Sequence, residues 1–196
     1  IEIGLGVKTA ATTRIFTKGI AVNTDRNLDV MIEGEGFFQV MKEDGTLAYT
    51  RDGCFQIDAL GQLCTNDGLL VQPAMTFPAD TKEITISQDG NVTVLTGNNT
   101  EANQIGQFQL VRFQNPAGLL SIGHNLYQET SASGNAVQGT PGQNGMGLLE
   151  QGFLEGSNVQ IVDELIGLIK AERAFESNSK IIKSSSDILQ MTNNLT

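Results

Sequence analysis

The sequence predicts a mainly β protein, built from short antiparallel strands in a hairpin meander and followed by one long C-terminal α-helix. Its composition changes sharply at Ser157: of the 22 glycines only Gly167, and of the 4 prolines none, lies beyond it. Before Ser157 apolar residues alternate with the period of two that is typical of strands, and after it they follow a helical spacing. We therefore expect an extended linking segment over residues 1–27, a β domain over 28–156 and a C-terminal helix over 157–196.

Short strands are predicted wherever apolar residues alternate. The clearest runs are Ile1, Ile3, Leu5 and Val7; Leu28, Val30 and Ile32; and Ile84, Ile86, Val92 and Val94. Asp-Gly steps tolerate the positive φ of tight turns, and they recur at 44–45, 52–53, 67–68 and 89–90. No helical pattern separates these steps, so consecutive hairpins are expected. Residues 135–147 show no periodicity and are expected to form an irregular connector.

A helix is predicted to begin just after Ser157. Ser157 and Gln160 have the spacing of a capping box, and Asp163 and Glu164 supply the acidic first turn that the helix dipole favours. The helical pattern runs to about Gln190, which corresponds to roughly 50 Å at about 1.5 Å per residue. Steps of seven residues define an apolar seam, widened in its first half. The residues predicted to form an assembly interface are Ile161, Val162, Leu165, Ile166, Leu168, Ile169, Phe175, Ile182 and Leu189.

The second half of this seam is thinner, and a second apolar row runs beside it at Ala174, Ile181 and Ile188. A helix this long cannot lie wholly on a β domain whose radius of gyration is roughly 15 Å. We therefore expect much of it to project and to need a partner helix, from another copy or from a segment that precedes Ile1. The alternative is a helix that folds back as a hairpin or kinks at Gly167.

The charge balance argues against nucleic acid and membranes as partners. The chain has 12 basic and 22 acidic residues, and its formal net charge of -10 repels phosphate backbones and anionic lipid surfaces. No apolar run approaches the roughly 18 residues that a membrane span requires. We expect no nucleic-acid binding and no membrane insertion, and no motif indicates a cofactor.

The two cysteines, Cys54 and Cys64, lack the spacing of a disulfide scaffold or of a cysteine-rich zinc site. If residues 58–61 form a four-residue turn, Phe55 faces Cys64 and Cys54 faces Thr65, which places the two sulfur atoms on opposite faces of the hairpin. We therefore expect them not to be joined. A β-bulge would shift the register by one residue and reverse this argument.

The acidic residues suggest two other functional classes, an enzyme and a calcium-binding module. Glu33 and Glu35 could form the paired carboxylates of a carbohydrate-active enzyme, but they would share one strand face, and the aspartates of the Asp-Gly steps are explained by turns. A calcium-binding β module is suggested by the same steps, yet none has the spacing of a known calcium loop. His124 is the single histidine, in a loop-like context. We expect neither catalysis nor a bound metal.

Two blocks of the sequence carry a resemblance to a known family. Residues 154–190 contain E-x-S-N-V and then R-A-F-E-x-N-S-K, and residues 47–73 contain Y-T-R-D-G-x-F-x-x-D-x-x-G-x-L. Both blocks resemble the flagellar axial proteins of the basal-body rod family. The residues that match the C-terminal pattern most closely are Ser157, Asn158, Val159, Arg173, Ala174, Phe175, Asn178 and Lys180.

Within the family, the resemblance is strongest to the distal rod member, and it is carried by residues 3–7 and 14–19 and by F-Q-N-P-A-G-L followed by G-H-N-L-Y-Q-E-T. A hook protein would carry a long insertion in the β region, for which this chain has no room. It implies a structural subunit that polymerises helically into a hollow drive shaft and transmits torque from motor to hook. The implied partners are further copies of the chain, neighbouring rod and hook proteins, and periplasmic and outer-membrane ring proteins. The implied location is the periplasmic rod of the basal body, reached through the flagellar export apparatus. The resemblance also implies a helical segment before Ile1 that pairs with the C-terminal helix, and a proximal rod or hook component is the alternative within the family.

Overall fold

The computed structural model describes residues 8–10, 12–97 and 102–193, and the chain divides into two compact units: a β unit, Ile1–Gly156, and a helical unit, Ser157–Thr196. The predicted fold class is confirmed, because the regular structure of the β unit is antiparallel sheet and the helical unit holds one long helix. The elements are β1 Ala21–Asn23, β2 Val30–Glu33, β3 Phe37–Met41, β4 Leu47–Thr50, β5 Phe55–Ile57, β6 Leu63–Thr65, β7 Leu70–Gln72, β8 Thr81–Ile86, β9 Asn91–Thr96, β10 Asn103–Gln107, β11 Leu110–Arg112, a short 3-10 helix Pro116–Gly118, β12 Leu120–Gly123, β13 Leu126–Gln128, β14 Val137–Gly139, β15 Leu148–Gln151, β16 Phe153–Glu155 and α1 Ile161–Asn193.

The largest sheet of the described part has the strand order β12-β13-β4-β3-β7-β6-β5, with β11 paired to β3 and β14 paired to β11. Smaller sheets are formed by β10-β9-β8, by β15 and β2, and by β1 and β16. Neighbouring residues of β3 point to opposite faces of the sheet, and both Phe37 and Phe38 are buried, so apolar side chains cover β3 on both sides. Phe38 meets Phe55 and Phe108 at ring-centroid distances of 5.0 and 5.8 Å, and these three rings occupy the main core.

Four hairpin loops share one hydrogen-bond pattern. Each contains a glycine with positive φ: Gly45, Gly61, Gly68 and Gly90, with φ of 78°, 80°, 81° and 85°. The glycine N–H donates to the carbonyl three residues earlier, as from Gly90 to Ser87 at 2.9 Å. This is a three-residue loop in which a type I turn is followed by a left-handed residue, a position that glycine occupies without steric cost. Three of the four predicted Asp-Gly steps therefore lie in hairpin turns.

The fourth Asp-Gly step, 52–53, does not form a hairpin turn, which corrects the prediction. The strands on either side of it, β4 and β5, are not partners in the sheet. Gly53 instead passes close to the backbone of Val30, whose N–H donates to the Gly53 carbonyl at 3.0 Å. A Cβ at Gly53 would lie 1.7 Å from the Val30 carbonyl oxygen. Close backbone approach, and not turn geometry, requires glycine here.

The register expected for the cysteine hairpin is wrong by one residue. Gly61 closes a three-residue loop, so Asp58 faces Gln62, and in the strands Phe55 pairs with Thr65 while Cys64 pairs with Gln56. This register places Cys54 and Cys64 on the same face of the hairpin. Both are nevertheless free. They are diagonal neighbours across the strands, and the roughly 7–8 Å of such a pair is too long for a disulfide.

Two further segments are more ordered than their sequence patterns indicate. Within the extended segment expected over 1–27, Ala21–Asn23 pairs with β16, and the ring of Phe16 lies 5.6 Å from that of Phe37. Within the irregular connector expected near 135–147, β14 pairs with β11. Strands of three residues are too short to show a period of two, which explains why both were missed. The alternation at residues 1–7 lies outside the described residues.

The helix α1 runs from Ile161 to Asn193, 33 residues, and begins later than the predicted capping box. The Gln160 carbonyl accepts a hydrogen bond from the Glu164 N–H at 3.1 Å, as the residue before a helix should. Ser157 Oγ accepts instead from the Val159 N–H at 3.2 Å. Ser157 thus stabilises a local turn ahead of the helix, an alternative that serine side chains commonly offer to the backbone.

Candidate assembly surface

The residues predicted to form an interface lie on α1, and all whose side chains are described are exposed. Their exposed fractions run from 44% for Ile166 to 74% for Phe175. We call this set the assembly surface: Ile161, Val162, Leu165, Ile166, Leu168, Ile169, Phe175 and Ile182. The side chain of Leu189, the last predicted member, lies outside the described residues. Exposed apolar surface on this scale is typical of an interaction site.

The residues that match the family pattern fall into two groups. Ser157, Asn158 and Val159 form the turn that precedes α1. The second group lies around the middle of α1: Arg173, Ala174, Phe175, Asn178 and Lys180. Lys180 forms an ion pair with Glu176 at 2.8 Å, the i, i+4 arrangement that supports an exposed helix face.

A largely buried ion pair joins the two sequence blocks on which the resemblance rests. Arg51 Nε donates to Glu155 Oε2 at 2.8 Å, and Arg51 Nη2 donates to Glu155 Oε1 at 3.1 Å. The two side chains are only 15% and 12% exposed. Arg51 also donates to the carbonyl oxygens of Gly34 and Gly36, at 3.2 and 3.0 Å, and Glu155 accepts the Gly19 N–H at 3.0 Å.

This ion pair fixes the strand from which the chain continues into the helical unit, since Glu155 ends β16. Sequence reasoning did not connect the two residues, because 104 positions separate them. The sequence did contain a signal for this pair. Arg51 in Y-T-R-D-G and Glu155 in E-x-S-N-V are oppositely charged residues of the two motifs. Bidentate arginine–carboxylate pairs are geometrically specific as well as strong.

The other residues of the Y-T-R-D-G block have structural contacts. Tyr49 packs its ring 4.8 Å from that of Phe113. Thr50 Oγ1 accepts the Asp52 N–H at 3.0 Å, and Asp52 Oδ2 accepts from Asn125 Nδ2 at 3.1 Å. These contacts position strands and turns. They explain why the block contains these residues without assigning any of them a reactive role.

The acidic residues considered for catalysis form ion pairs. Glu33 Oε1 lies 2.7 Å from Lys18 Nζ, and Glu35 Oε2 lies 2.8 Å from Arg112 Nε. The hydrogen bond from Lys18 lowers the pKa of Glu33, and the same bond raises the pKa of Lys18. A carboxylate held ionised in this way is a poor candidate for a general acid.

Across residues 8–10, 12–97 and 102–193, no group of three His, Cys, Asp or Glu side chains is close enough to hold a metal ion. Aspartates of two hairpin loops instead accept backbone hydrogen bonds: Asp44 Oδ1 accepts from the Thr46 N–H at 2.9 Å, and Asp58 Oδ1 accepts from the Gln62 N–H at 2.7 Å. Among those residues there is also no helix with the length and apolar character needed to cross a membrane.

Two family descriptions match the chain. Residues 31–94 match the flagellar hook protein FlgE/F/G D1 domain, and residues 150–195 match the C-terminal region of the flagellar basal body rod FlgEFG proteins. The first range begins within β2 and ends within β9 of the β unit. The second covers Glu155 and the whole assembly surface.

Rod-protein relatives match over nearly the full chain, and a hook-protein relative matches over part of it. The flagellar basal-body rod protein FlgG of Buchnera aphidicola (subsp. Acyrthosiphon pisum) is 46% identical over 100% of this chain and 75% of its own length. FlgG of Borreliella burgdorferi is 47% identical over 99% of this chain and 74% of its own length. The flagellar hook protein FlgE of Salmonella typhimurium is 40% identical over 60% of this chain and 29% of its own length.

Proposed function

We infer that this chain, which belongs to the flagellar basal-body rod protein family and is a structural subunit of the distal rod, assembles into that rod through the assembly surface of α1. The observation that carries the proposal is the exposure of the apolar residues of α1, up to 74% at Phe175. Isolated helices are marginal in water and gain most of their stability by burying an apolar face. Burial against neighbouring subunits would stabilise α1 and the polymer together.

The polymer we propose is helical and hollow, and it carries torque from the motor to the hook. An open helical polymer requires heterologous contacts, in which one patch meets a different patch on the next copy. The β unit suits such a load, because it has its own core of buried apolar side chains and the largely buried Arg51–Glu155 pair holds β16, the last strand before α1. This role is mechanical and requires no catalysis, cofactor or metal.

Further proposals concern partners and location. Neighbouring rod and hook proteins are proposed as axial partners, and the partial likeness to a hook protein supports this. Periplasmic and outer-membrane ring proteins are proposed as surrounding partners, and the flagellar export apparatus as the route to the periplasmic rod. A hook role for this chain is the second candidate. It has less support, because the match to the hook protein FlgE covers 60% of the chain, whereas the match to the rod protein FlgG covers 100%.

The test replaces Phe175 or Ile182 with alanine in the protein at its native locus. Truncating a large apolar side chain that is buried on assembly costs about 2 to 5 kcal/mol, and every subunit of a polymer suffers this loss. We expect both variants to be exported but to form few rods, as seen in isolated basal bodies by electron microscopy. Ser184→Ala, an exposed position of α1, is the matched control and should assemble normally. Intact rods and normal motility in both alanine variants would remove α1 from the interface.

A further inference from the structure

One asparagine of the chain directly precedes a glycine: Asn144, followed by Gly145, in the loop over residues 140–147 between β14 and β15. A backbone nitrogen can attack the side-chain carbonyl carbon of the residue before it and close a cyclic imide. Glycine favours this reaction, because it has no Cβ to hinder the approach and it rotates freely. The four Asp-Gly steps have the same spacing, so the structure must distinguish the five steps.

The fold engages the atoms that would react in all four Asp-Gly steps. In the three steps that lie in hairpin turns, the glycine N–H donates to the carbonyl three residues earlier at 2.9 Å. These nitrogens belong to Gly45, Gly68 and Gly90. In the fourth step Gly53 is buried, and the Asp52 carboxylate accepts from the Cys54 N–H and from Asn125 Nδ2, both at 3.1 Å.

The step from Asn144 to Gly145 is open by comparison. Both residues are exposed, and the described part of the chain offers no hydrogen-bond partner to the Gly145 N–H or to the Asn144 side-chain amide. The backbone hydrogen bond that spans the step runs from the Met146 N–H to the Gln143 carbonyl at 2.9 Å. An exposed loop hydrogen bond of this kind opens locally without unfolding the domain. Opening it frees Asn144 to rotate toward the nitrogen of Gly145.

We propose that Asn144 is a self-modification site, at which the chain converts asparagine to aspartate and isoaspartate with water as the co-reactant. The nitrogen of Gly145 attacks Cγ of Asn144, so that an N–Cγ bond forms and the Cγ–Nδ2 bond breaks. The proton of the Gly145 N–H passes through solvent to Nδ2, which leaves as ammonia. Water then opens the cyclic imide at either carbonyl carbon and returns a hydrogen to the Gly145 nitrogen. The reaction requires no oxidant, metal or cofactor.

The product adds a negative charge beside a guanidinium group. A Cβ at Gly145 would lie 3.1 Å from Arg112 Nη1, which places the guanidinium next to the site. Arg112 Nε lies 2.8 Å from Glu35 Oε2, and the new carboxylate would compete with Glu35 for this group. Isoaspartate also lengthens the backbone by one methylene next to Met146, a buried residue of the main core. The inference goes beyond the proposed function and does not depend on it.

The test follows the mass of one peptide cut from the full-length protein. Purified protein is kept folded at neutral pH, and cleavage after Glu129 and Glu150 then releases residues 130–150. This peptide also contains Asn135, which serves as the internal control. Asn135 is exposed but precedes Ala136, whose N–H donates to Glu129 Oε2 at 3.3 Å. Loss of the amide raises the mass by about 1 Da, and enzymatic methyl transfer to the free α-carboxyl group detects isoaspartate.

Asn144 should gain mass at least about tenfold faster than Asn135, a difference of about 1.4 kcal/mol in activation free energy. Asn144→Gln moves the amide one bond further from Gly145, and Asn144→Gly suits the φ of 53° at this position. Neither variant should show the fast mass gain or the isoaspartate signal.

Equal rates at the two asparagines would overturn the proposal. So would a rate at Asn144 that is more than about tenfold lower in the folded protein than in urea, because the fold would then protect the step. A mass gain without isoaspartate would indicate direct hydrolysis by water and would overturn the attack by Gly145. Rod assembly does not enter this test, so none of these outcomes bears on the proposed function.

Discussion

The β unit and α1 place their phenylalanines in opposite environments. Phe55 is 0% exposed and stacks in a cluster with Phe38 and Phe108, whereas Phe175 is 74% exposed. Burial of an aromatic side chain stabilises the unit that contains it. The contrast teaches that the β unit is stabilised by its own buried core, while the described apolar side chains of the α1 seam are exposed to solvent.

The ion pairs of the two regions differ in the same way. Arg51 and Glu155 are 15% and 12% exposed, whereas Lys180 and Glu176 are 75% and 62% exposed. An exposed pair is screened by water and contributes little to stability. A buried pair becomes costly when one partner is removed, because the other charge remains without compensation. The β unit therefore depends on its charges more than α1 does.

The largest expected effect separates the two phenylalanines. Phe55→Ala should lower the free energy of unfolding of the β unit by about 3–5 kcal/mol, because it removes a fully buried ring and leaves a cavity. Phe175→Ala should change that free energy by less than about 0.5 kcal/mol, since its ring is exposed. Denaturant unfolding followed by tyrosine fluorescence measures both. Equal losses in the two variants would contradict the comparison.

Removing Arg51 is expected to have the next largest effect. Arg51→Ala should cost about 2–4 kcal/mol of unfolding free energy, because Glu155 remains as a nearly buried, unpaired carboxylate. Arg112→Ala is the matched control, since its pair with Glu35 is 46% and 68% exposed, and it should cost less than about 1 kcal/mol. Arg51→Lys should recover only part of the loss, because lysine cannot make the bidentate contact.

Replacing a glycine with alanine should change stability in opposite directions in the two regions. A Cβ at Gly167 would meet nothing within 4 Å, so Gly167→Ala should stabilise α1 by about 1 kcal/mol and raise the helical signal in circular dichroism. A Cβ at Gly45 would also meet nothing within 4 Å, but the φ of 78° makes Gly45→Ala unfavourable by about 1 kcal/mol. A loss of helicity in Gly167→Ala would show that this position requires glycine.

The smallest expected effect is a difference in thiol-labelling rate between Cys54 and Cys64, which reports on the β unit alone. Burial, and to a lesser degree the charge of Asp58, raises the pKa of the Cys64 thiol, and Cys64 is only 7% exposed. The thiolate is the reactive form, so Cys54 should react at least about tenfold faster than Cys64 at neutral pH. Phe175→Ala should leave both rates unchanged, because the cysteines report on the β unit. Fewer than two reactive thiols in the unfolded, unreduced protein would instead indicate a disulfide.

Local sequence patterns predicted the type of most elements. The alternation at Val92 and Val94 reflects a strand with one buried face, and both side chains are at most 1% exposed. The glycines at 45, 68 and 90 were predicted as turn residues because positive φ is a property of the residue itself. The apolar seam of α1 likewise follows from helical periodicity, so its candidate assembly residues could be named before any tertiary contact was known.

The sequence by itself therefore determined the fold class and the family, and it named the residues that we propose for the assembly surface. The tertiary structure alone decided which distant residues meet: the Arg51–Glu155 pair across 104 positions, the approach of Gly53 to Val30, and the pairing of β14 with β11. It also decided the cysteine register, since one left-handed residue, Gly61, shortened a loop by one position and moved both sulfur atoms to the same face. The physical reason is that periodicity and φ preference are local properties, whereas ion pairs, close backbone approach and strand register depend on which chain segments pack together.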